Sequence, residues 1–303
     1  MLHLAIECSA LAGSVALLHQ QTVLAERQLP ATVGSVLSLA PAIAELLAQH
    51  GSTSSAEVEL ISVTHGPGSF TGLRAGLATT KMLGLAWRIP LVAVDTLQVI
   101  AAQSAQDIEK NYREAGEKRA TEAEQPVVVA VLNAYRKQVF AAAWRIPAGS
   151  PKSSSEDFPV DFAVEPGLNL IPLAPAQVIG AALWQAQPLS SLRACNRNLN
   201  AQSSRASSSP PALPPIAHAS ALEDDSLAAP QIWISGPGLR TYTPQIDSRV
   251  NLIDQSQWDP AARWVGRLGW QNYLAGQAVS AAELSPNYVR RSAAEETRTT
   301  SES

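Results

Sequence analysis

Apolar and polar positions alternate at the start of the chain. Residues 2–9, LHLAIECS, are mostly apolar and end in an acid and small polar residues, which predicts a strand. GSVALLHQQTVLAERQL (13–29) places apolar side chains at Val15, Leu17, Val23 and Ala25, with period two on either side of Gln20–Gln21. That pattern predicts two more strands about a tight turn, so residues 2–29 read as a β-meander. The period then changes. VLSLAPAIAELLAQHG (36–51) reads as a helix, with Gly51 as a stop signal and Pro41 predicting a late start or a kink. Its apolar positions, Val36, Leu37, Leu39, Ala40, Ile43, Ala44, Leu46 and Leu47, cover more than one face. Such a helix buries one side in its own core and another against a second element or a second chain.

LISVT (60–64) predicts a strand that runs straight into HGPGSFTG and then a helix over 71–87. Gly76, Gly84, Ala75, Ala78 and Ala86 interrupt that helix with small residues. Each interior glycine costs about 1 kcal/mol relative to alanine, so their presence points to close approach by a neighbouring backbone or helix. IPLVAVDT (89–96) predicts a strand entering a helix capped by Asp95 or Thr96. DIEKNYREAGEKRATEAEQ (106–124) is strongly charged and predicts a solvated helix or loop, and PVVVAVLNAYRKQVFAAAWR (126–145) predicts two strands about an Asn-Ala-Tyr-Arg-Lys turn. The first half is a mixed α/β layer rather than a doubly wound series of βαβ units.

The texture changes after residue 146. PAGSPKSSSEDFP (147–159) is a Pro/Ser-rich loop, and one helix is predicted within PLAPAQVIGAALWQAQ (172–187). The stretch 196–230 has few large apolar residues and reads as a flexible insertion. QIWISGPGLRTY (231–242) predicts a strand entering a second Gly-Pro-Gly turn, and RVNLID (249–254) a further strand. DPAARWVGRLGWQNYLAG (259–276) predicts a helix with an Asp259 cap and a terminal Gly276, followed at the end by a polar tail.

Composition narrows the chemistry. The chain has 303 residues, 46% of them apolar, and a net charge of −4 from 22 Lys+Arg and 26 Asp+Glu. It lacks the basic footprint of a protein that grips a nucleic-acid backbone alone, so any RNA contact depends on a partner. Two cysteines, Cys8 and Cys195, are too few for a disulfide framework or a four-thiolate zinc site. No basic segment followed by an apolar run opens the sequence and no apolar run is long enough to span a bilayer, so the cytoplasm is the expected compartment and no membrane partner is expected.

The Gly-rich loop has two readings. A strand, a glycine loop and a helix N-terminus bring backbone N–H groups and a positive helix end to one point, which suits a phosphate. Gly66, Gly68, Ser69, Thr71 and Gly72 would form such a nest. The loop is neither a Walker A motif, since Lys81 comes too late, nor a dinucleotide fingerprint. The alternative is a structural turn in which Ser69 or Thr71 caps the helix. None of the five histidines, His3, His19, His50, His65 and His218, forms an HxxxH or HExxH pair, and no GxSxG elbow is present. Glu7 ends the first strand, where an acid can orient a metal or water, with Asp95 and Asp254 as candidates to converge on it. Strand-end acids also cap turns and helices.

Four fragments together resemble one family: LAIECSALAGSVALL, LISVTHGPGSFTGLRAGLATTKMLGLA, IPLVAVDTL and AVLNAYRKQVFAAAW. They are similar to the TsaB (YeaZ) family, bacterial proteins required for threonylcarbamoyladenosine in tRNA. GPGSFTGLR with its Gly/Ala-rich helix is the most specific part. The resemblance covers residues 1–145, and WISGPGLRTY, DPAARWVGRLG and LSPNYVRRS fit more loosely. It implies an α/β, two-lobed ASKHA (actin/Hsp70/sugar-kinase-like, RNase H-like) fold, each lobe a mixed five-stranded sheet with helices. The implied division is a first lobe over 1–105, a charged connector over 106–125, a second lobe over 126–292 containing the 196–230 insertion, and a tail over 293–303.

The resemblance also implies a non-catalytic subunit of the tRNA N6-adenosine threonylcarbamoyltransferase complex. It would form a heterodimer with the related catalytic protein TsaD, which recruits the ATPase TsaE. TsaC or its relative supplies the threonylcarbamoyl-adenylate, and tRNA is met through the complex. The resemblance also allows a homodimer of the isolated chain, a choice the sequence leaves open. No cofactor is expected beyond weak nucleotide binding. The family's opening strand usually ends in Asp-Thr/Ser, where this chain has Glu7-Cys8-Ser9. Asn133 stands where an Asp is usual, and Gly34-Ser35 where a histidine commonly precedes the first helix. These departures point further from catalysis. In the family, the helices of the first lobe pair with those of TsaD or a second copy. That assigns Ala40, Ile43, Leu47, Arg74, Ala78 and Lys81 to a partner interface and makes the Gly-rich loop chiefly the start of the second helix. Arg290, Arg291 and Arg298 read either as direct tRNA contacts or as a solvated tail, the commoner fate of such charges. The alternatives are an ASKHA metallopeptidase of the glycoprotease type, an ASKHA small-molecule kinase, and a homodimeric binding module unconnected with tRNA.

Overall fold

The computed structural model describes residues 1–30, 32, 34–50, 57–116, 125–147, 170–186, 231–244, 246 and 250–289. Two five-stranded mixed sheets organise them. The first is built from β1 (Leu2–Glu7), β2 (Ser14–His19), β3 (Thr22–Gln28), β4 (Val58–Gly66) and β5 (Leu91–Asp95), in the order β3-β2-β1-β4-β5. The second holds β6 (Val127–Tyr135), β7 (Gln138–Arg145), β8 (Ile171–Gly180), β9 (Ile232–Ser235) and β10 (Val250–Leu252), in the order β10-β9-β6-β7-β8. The topology is duplicated. In each sheet the first strand is central, pairs antiparallel with the second and parallel with the fourth, and the fourth pairs parallel with the fifth.

Five α-helices cover the sheets: α1 (Ser35–Gln49), α2 (Phe70–Trp87), α3 (Thr96–Ala115), α4 (Ala181–Ala186) and α5 (Ala262–Leu274). The meander forms as its alternation predicts. Gln20, with φ 57°, turns the chain between β2 and β3. Pro41 lies inside α1, which nevertheless starts at Ser35. Its inward residues Leu39, Ala42, Ile43 and Leu46 join Leu4, Ile6, Val15 and Leu17 in one core, and that burial outweighs the hydrogen bond lost at the proline. Asp95 caps α3 as expected, accepting from the Gln98 N–H at 2.9 Å.

The helix expected within 172–187 is present as α4, and the residues before it, Ile171–Gly180, form strand β8, which the sequence reading misses. β8 is an edge strand, whose unpaired side tolerates Pro172 and Pro175, and its pairing with β7 overrides local helical preference. Asp259 does not cap α5. Ala261 holds the cap position without a side-chain bond, and Asp259 instead pairs with Arg240 at 2.7 and 2.9 Å. The division into consecutive lobes also changes. Residues 106–115, expected to belong to a connector, continue α3, with Ile108 fully buried. The insertion at 196–230, the tail and the C-terminal arginines lie outside the described residues.

Two long helices pack beyond the sheet that each one follows. α3 turns Leu97, Ile100, Ala101, Ala105 and Ile108 into a core with Val128, Ala130 and Leu132 of β6, while its Val99 and Ala102 join the core of the first sheet. α5 packs Trp264, Val265 and Leu268 against Ala5, Ala16, Leu18 and Leu60 of the first sheet. Its glycines set the distance: a Cβ on Gly266 would lie 2.4 Å from Leu18 Cδ1, and one on Gly269 would lie 2.2 Å from Ser62 Oγ. Beyond α5 the chain stays on the first sheet. Val279 exchanges two backbone bonds with Leu91 at 2.8 and 3.3 Å, and Leu284 enters the core that holds α1. Residues 261–284, expected in the second lobe, therefore complete the first.

Candidate functional site

The Gly-rich loop is shaped by contact with β1. Gly66 has φ +125°, and a Cβ there would lie 2.7 Å from Asn287 O. A Cβ on Gly68 would lie 2.5 Å from Ser9 O, and one on Gly72 would lie 2.1 Å from Cys8 O. The glycines admit the backbone leaving β1 to the start of α2. The N–H groups that a phosphate nest would offer are partly engaged. Ser69 N donates to Ser9 O at 2.7 Å, Gly72 N to Ser69 Oγ at 3.3 Å, and Leu73 N to Ser69 O at 2.8 Å. Ser69 is thus the cap of α2, and Thr71 is exposed on its first turn.

The acids named as candidates are not gathered. Glu7 is fully buried, and its Oε1 accepts from Ser9 N at 2.6 Å and from Ser9 Oγ, with Thr64 Oγ1 at 3.5 Å. Burial pushes its carboxyl up to about 7, although the Ser9 bonds pull the other way. Asp95 is engaged at the α3 cap, and burial raises its carboxyl as well. Asp254 is exposed and accepts from Ser256 N at 2.9 Å and Ser256 Oγ at 2.6 Å, which hold its carboxyl below the usual range. No group of three or more His, Cys, Asp or Glu side chains among the described residues is arranged to hold a metal ion. His3 is buried in β1 against Ser62 Oγ, and burial holds its imidazole down to about 3. His65 lies at the loop, with Nδ1 3.4 Å from Ser285 O. No helix among the described residues is long and apolar enough to cross a membrane.

The feature left open is a surface. α1 packs on β2 and β3, α2 packs on β4, and the two helices touch along one face of the first sheet. Both turn apolar side chains outward. Leu37 is 71% exposed, Met82 68% and Leu85 65%, with Val36 and Phe70 also exposed. Along α2 the inward residues are Gly72, Leu73, Gly76, Leu77, Thr80 and Gly84, and the outward stripe runs through Phe70, Arg74, Ala78, Met82 and Leu85.

Of the residues assigned to an interface, Ala40, Arg74 and Ala78 are exposed and Lys81 is half-buried. Ile43 is a correction: it is 4% exposed, inside the core of its own lobe, and Leu47 packs partly against that core. The outward apolar positions of α1 are Val36, Leu37, Ala40 and Ala44. Met82 and Leu85 are missed in the sequence reading, although a second apolar stripe at helical spacing, opposite Leu73 and Leu77, marks them.

Comparisons with known proteins agree on one relationship. A family model described as "TsaD: tRNA N6-adenosine threonylcarbamoyltransferase" matches residues 34–146. The chain is 30% identical over 102 residues to a Buchnera aphidicola protein, 34% over 99 to one from Bacillus subtilis, and 35% over 98 to one from Escherichia coli. Each relative is named "tRNA threonylcarbamoyladenosine biosynthesis protein TsaB". These matches take in 34%, 33% and 32% of this chain, which spans 39%, 43% and 42% of the respective relatives' lengths. Among solved structures, "YeaZ from Pseudomonas aeruginosa" matches with a TM-score of 0.59, covering 95% of this chain and 99% of that one at 21% identity, a likeness of fold. With the two duplicated sheets, that likeness supports the ASKHA-like architecture.

Proposed function

We propose that this chain is a member of the TsaB/YeaZ family and acts in the biosynthesis of threonylcarbamoyladenosine in tRNA as a docking subunit rather than as the catalyst. The observation that carries this reading is the apolar outer face of α1 and α2. Both helices already bury one side in the first lobe, and Leu37, Met82 and Leu85 remain exposed. A second apolar side on a surface helix is what a permanent subunit contact requires. The proposed partner is a TsaD-type subunit, and a second copy of this chain occupies the face when that subunit is absent. TsaE and tRNA are met through the pair, and TsaC supplies the activated group upstream.

The Gly-rich loop is assigned a structural task. It sets the start and angle of α2 and so the direction in which the outward stripe faces. The glycines lie against Cys8 and Ser9, and Ser69 closes the helix end. Nucleotide binding at this loop is not required by the reading. The test is calorimetric titration of the purified chain with TsaD from the same organism, alongside Leu85→Glu. Tight binding by the wild type, lost in a folded Leu85→Glu variant, is the expected result. A folded wild type that neither binds TsaD nor self-associates overturns the docking role.

A further inference from the structure

At the loop end of α2, three side chains from distant parts of the chain form a fixed cluster. The chain returns across the first lobe after α5, held by the Val279–Leu91 bridge and by Leu284 in the core. Asn287 N donates to His65 O at 2.7 Å, fixing the segment beside Gly66. The next residue, Tyr288, stacks on Phe70 with ring centroids 5.7 Å apart and an interplanar angle of 28°. The Arg74 guanidinium lies 3.8 Å from the Phe70 ring centroid, and its Nε donates to Tyr288 Oη at 3.2 Å. All three residues are exposed.

The geometry points to a cation seat that receives a carboxylate of the partner subunit at the head of the α2 docking face. This rests on the docking reading proposed above and adds the chemistry at one end of that face. Arg74 is immobilised by the ring beneath it and by the phenol at its Nε. The ordering entropy of a long side chain is therefore largely spent before a partner arrives. With Nε engaged, the two Nη groups remain for an end-on, two-bond contact with a carboxylate. Among the described residues, no carboxylate pairs with Arg74. α2 contains Arg74 and Lys81 and no acid, so the face carries positive charge only along this helix. The seat is continuous with the apolar stripe, one turn before Ala78. A protein partner that covers the stripe necessarily approaches the seat. Tyr288 acts here as a positioning residue, since it works through Arg74.

The test measures affinity for TsaD by calorimetry at low and high salt for Arg74→Gln, Tyr288→Ala, Tyr288→Phe, the Arg74→Gln/Tyr288→Ala double variant and Leu85→Glu, with Tm recorded for each. Expected are losses of about tenfold for Arg74→Gln and Tyr288→Ala, a double variant little worse than either, and a smaller loss for Tyr288→Phe, which keeps the stack. The salt dependence of pairing should also shrink in Arg74→Gln, at unchanged Tm. If Leu85→Glu abolishes pairing while Arg74→Gln and Tyr288→Ala bind like the wild type, the seat is overturned and the docking face stands. If the wild type does not pair, the docking reading fails first. If Arg74→Gln weakens tRNA binding by the assembled pair and leaves pairing untouched, the cation serves nucleic acid and the proposal is wrong.

Discussion

The two Gly-Pro-Gly loops occupy equivalent places in the duplicated sheets, after β4 and after β9. Their first glycines, Gly66 and Gly236, share φ +125°. Both loops lie against the end of the central strand. A Cβ on Gly236 would fall 2.1 Å from Val131 O, as one on Gly72 would from Cys8 O. The loops differ in the element that each one starts. The first launches the 18-residue α2 with its outward apolar stripe, and the second ends in a four-residue 3-10 turn (Pro237–Arg240) whose Arg240 is closed off by Asp259. The motif is therefore a device for packing a chain against a strand end. What distinguishes the first lobe is the surface that the loop presents.

The comparison is broken most severely at the glycines. Gly72→Ala and Gly236→Ala should each destabilise the fold by about 3 kcal/mol or more, because the new Cβ meets backbone that cannot move aside. Denaturant unfolding checks this. A mild effect at Gly236 alone would show that the two loops are not equivalent.

A second difference lies in the central strands. β1 buries His3 and Glu7, whereas β6 buries only apolar residues over Val127–Leu132. Burial raises Glu7 from 4.5 to about 7, so the folded state binds that proton more tightly than the unfolded chain does. Its contribution is full below the unfolded value and is lost as pH rises toward 7, a change of about 3 kcal/mol. His3, lowered from 6.5 to about 3, acts in the opposite sense: its contribution is full above 6.5 and is lost as pH falls toward 3. Between roughly pH 4.5 and 6.5 the two slopes oppose each other. Glu7→Gln should leave stability rising with pH across that window, and chemical unfolding at several pH values reads the slope. An unchanged profile would remove Glu7 from the account.

Smaller effects sharpen the contrast. Met82→Glu should leave stability within about 0.5 kcal/mol, because the side chain is already exposed, and should weaken partner binding by about 2 kcal/mol or more. Thermal unfolding alongside calorimetry separates the two. Ser69→Ala should cost about 1 kcal/mol by removing the α2 cap. The second loop has no matching cap, since Gly236 holds that place.

The parts legible in the sequence are those governed by local rules. Period two marks β2 and β3, Asp95 announces α3, and Ser69 in the Gly-rich loop announces the start of α2. What escapes the sequence depends on distant partners. β8 is a strand because β7 pairs with it, whatever the helical preference of its alanines. Ile43 faces inward because of where α1 sits on β2, a choice its all-round apolar pattern leaves open. The seat at Arg74 joins residues 214 positions apart, which no local pattern can indicate. The packing of α3 and α5 beyond the sheets they follow is long-range in the same way.

The central claim is that the outer face of α2 is a docking surface, and the most direct measurement is calorimetric titration of the wild-type chain and Leu85→Glu with TsaD from the same organism. The account predicts tight binding by the wild type and none by a variant whose Tm is unchanged. Equal binding by both proteins, with the variant fully folded, would contradict it.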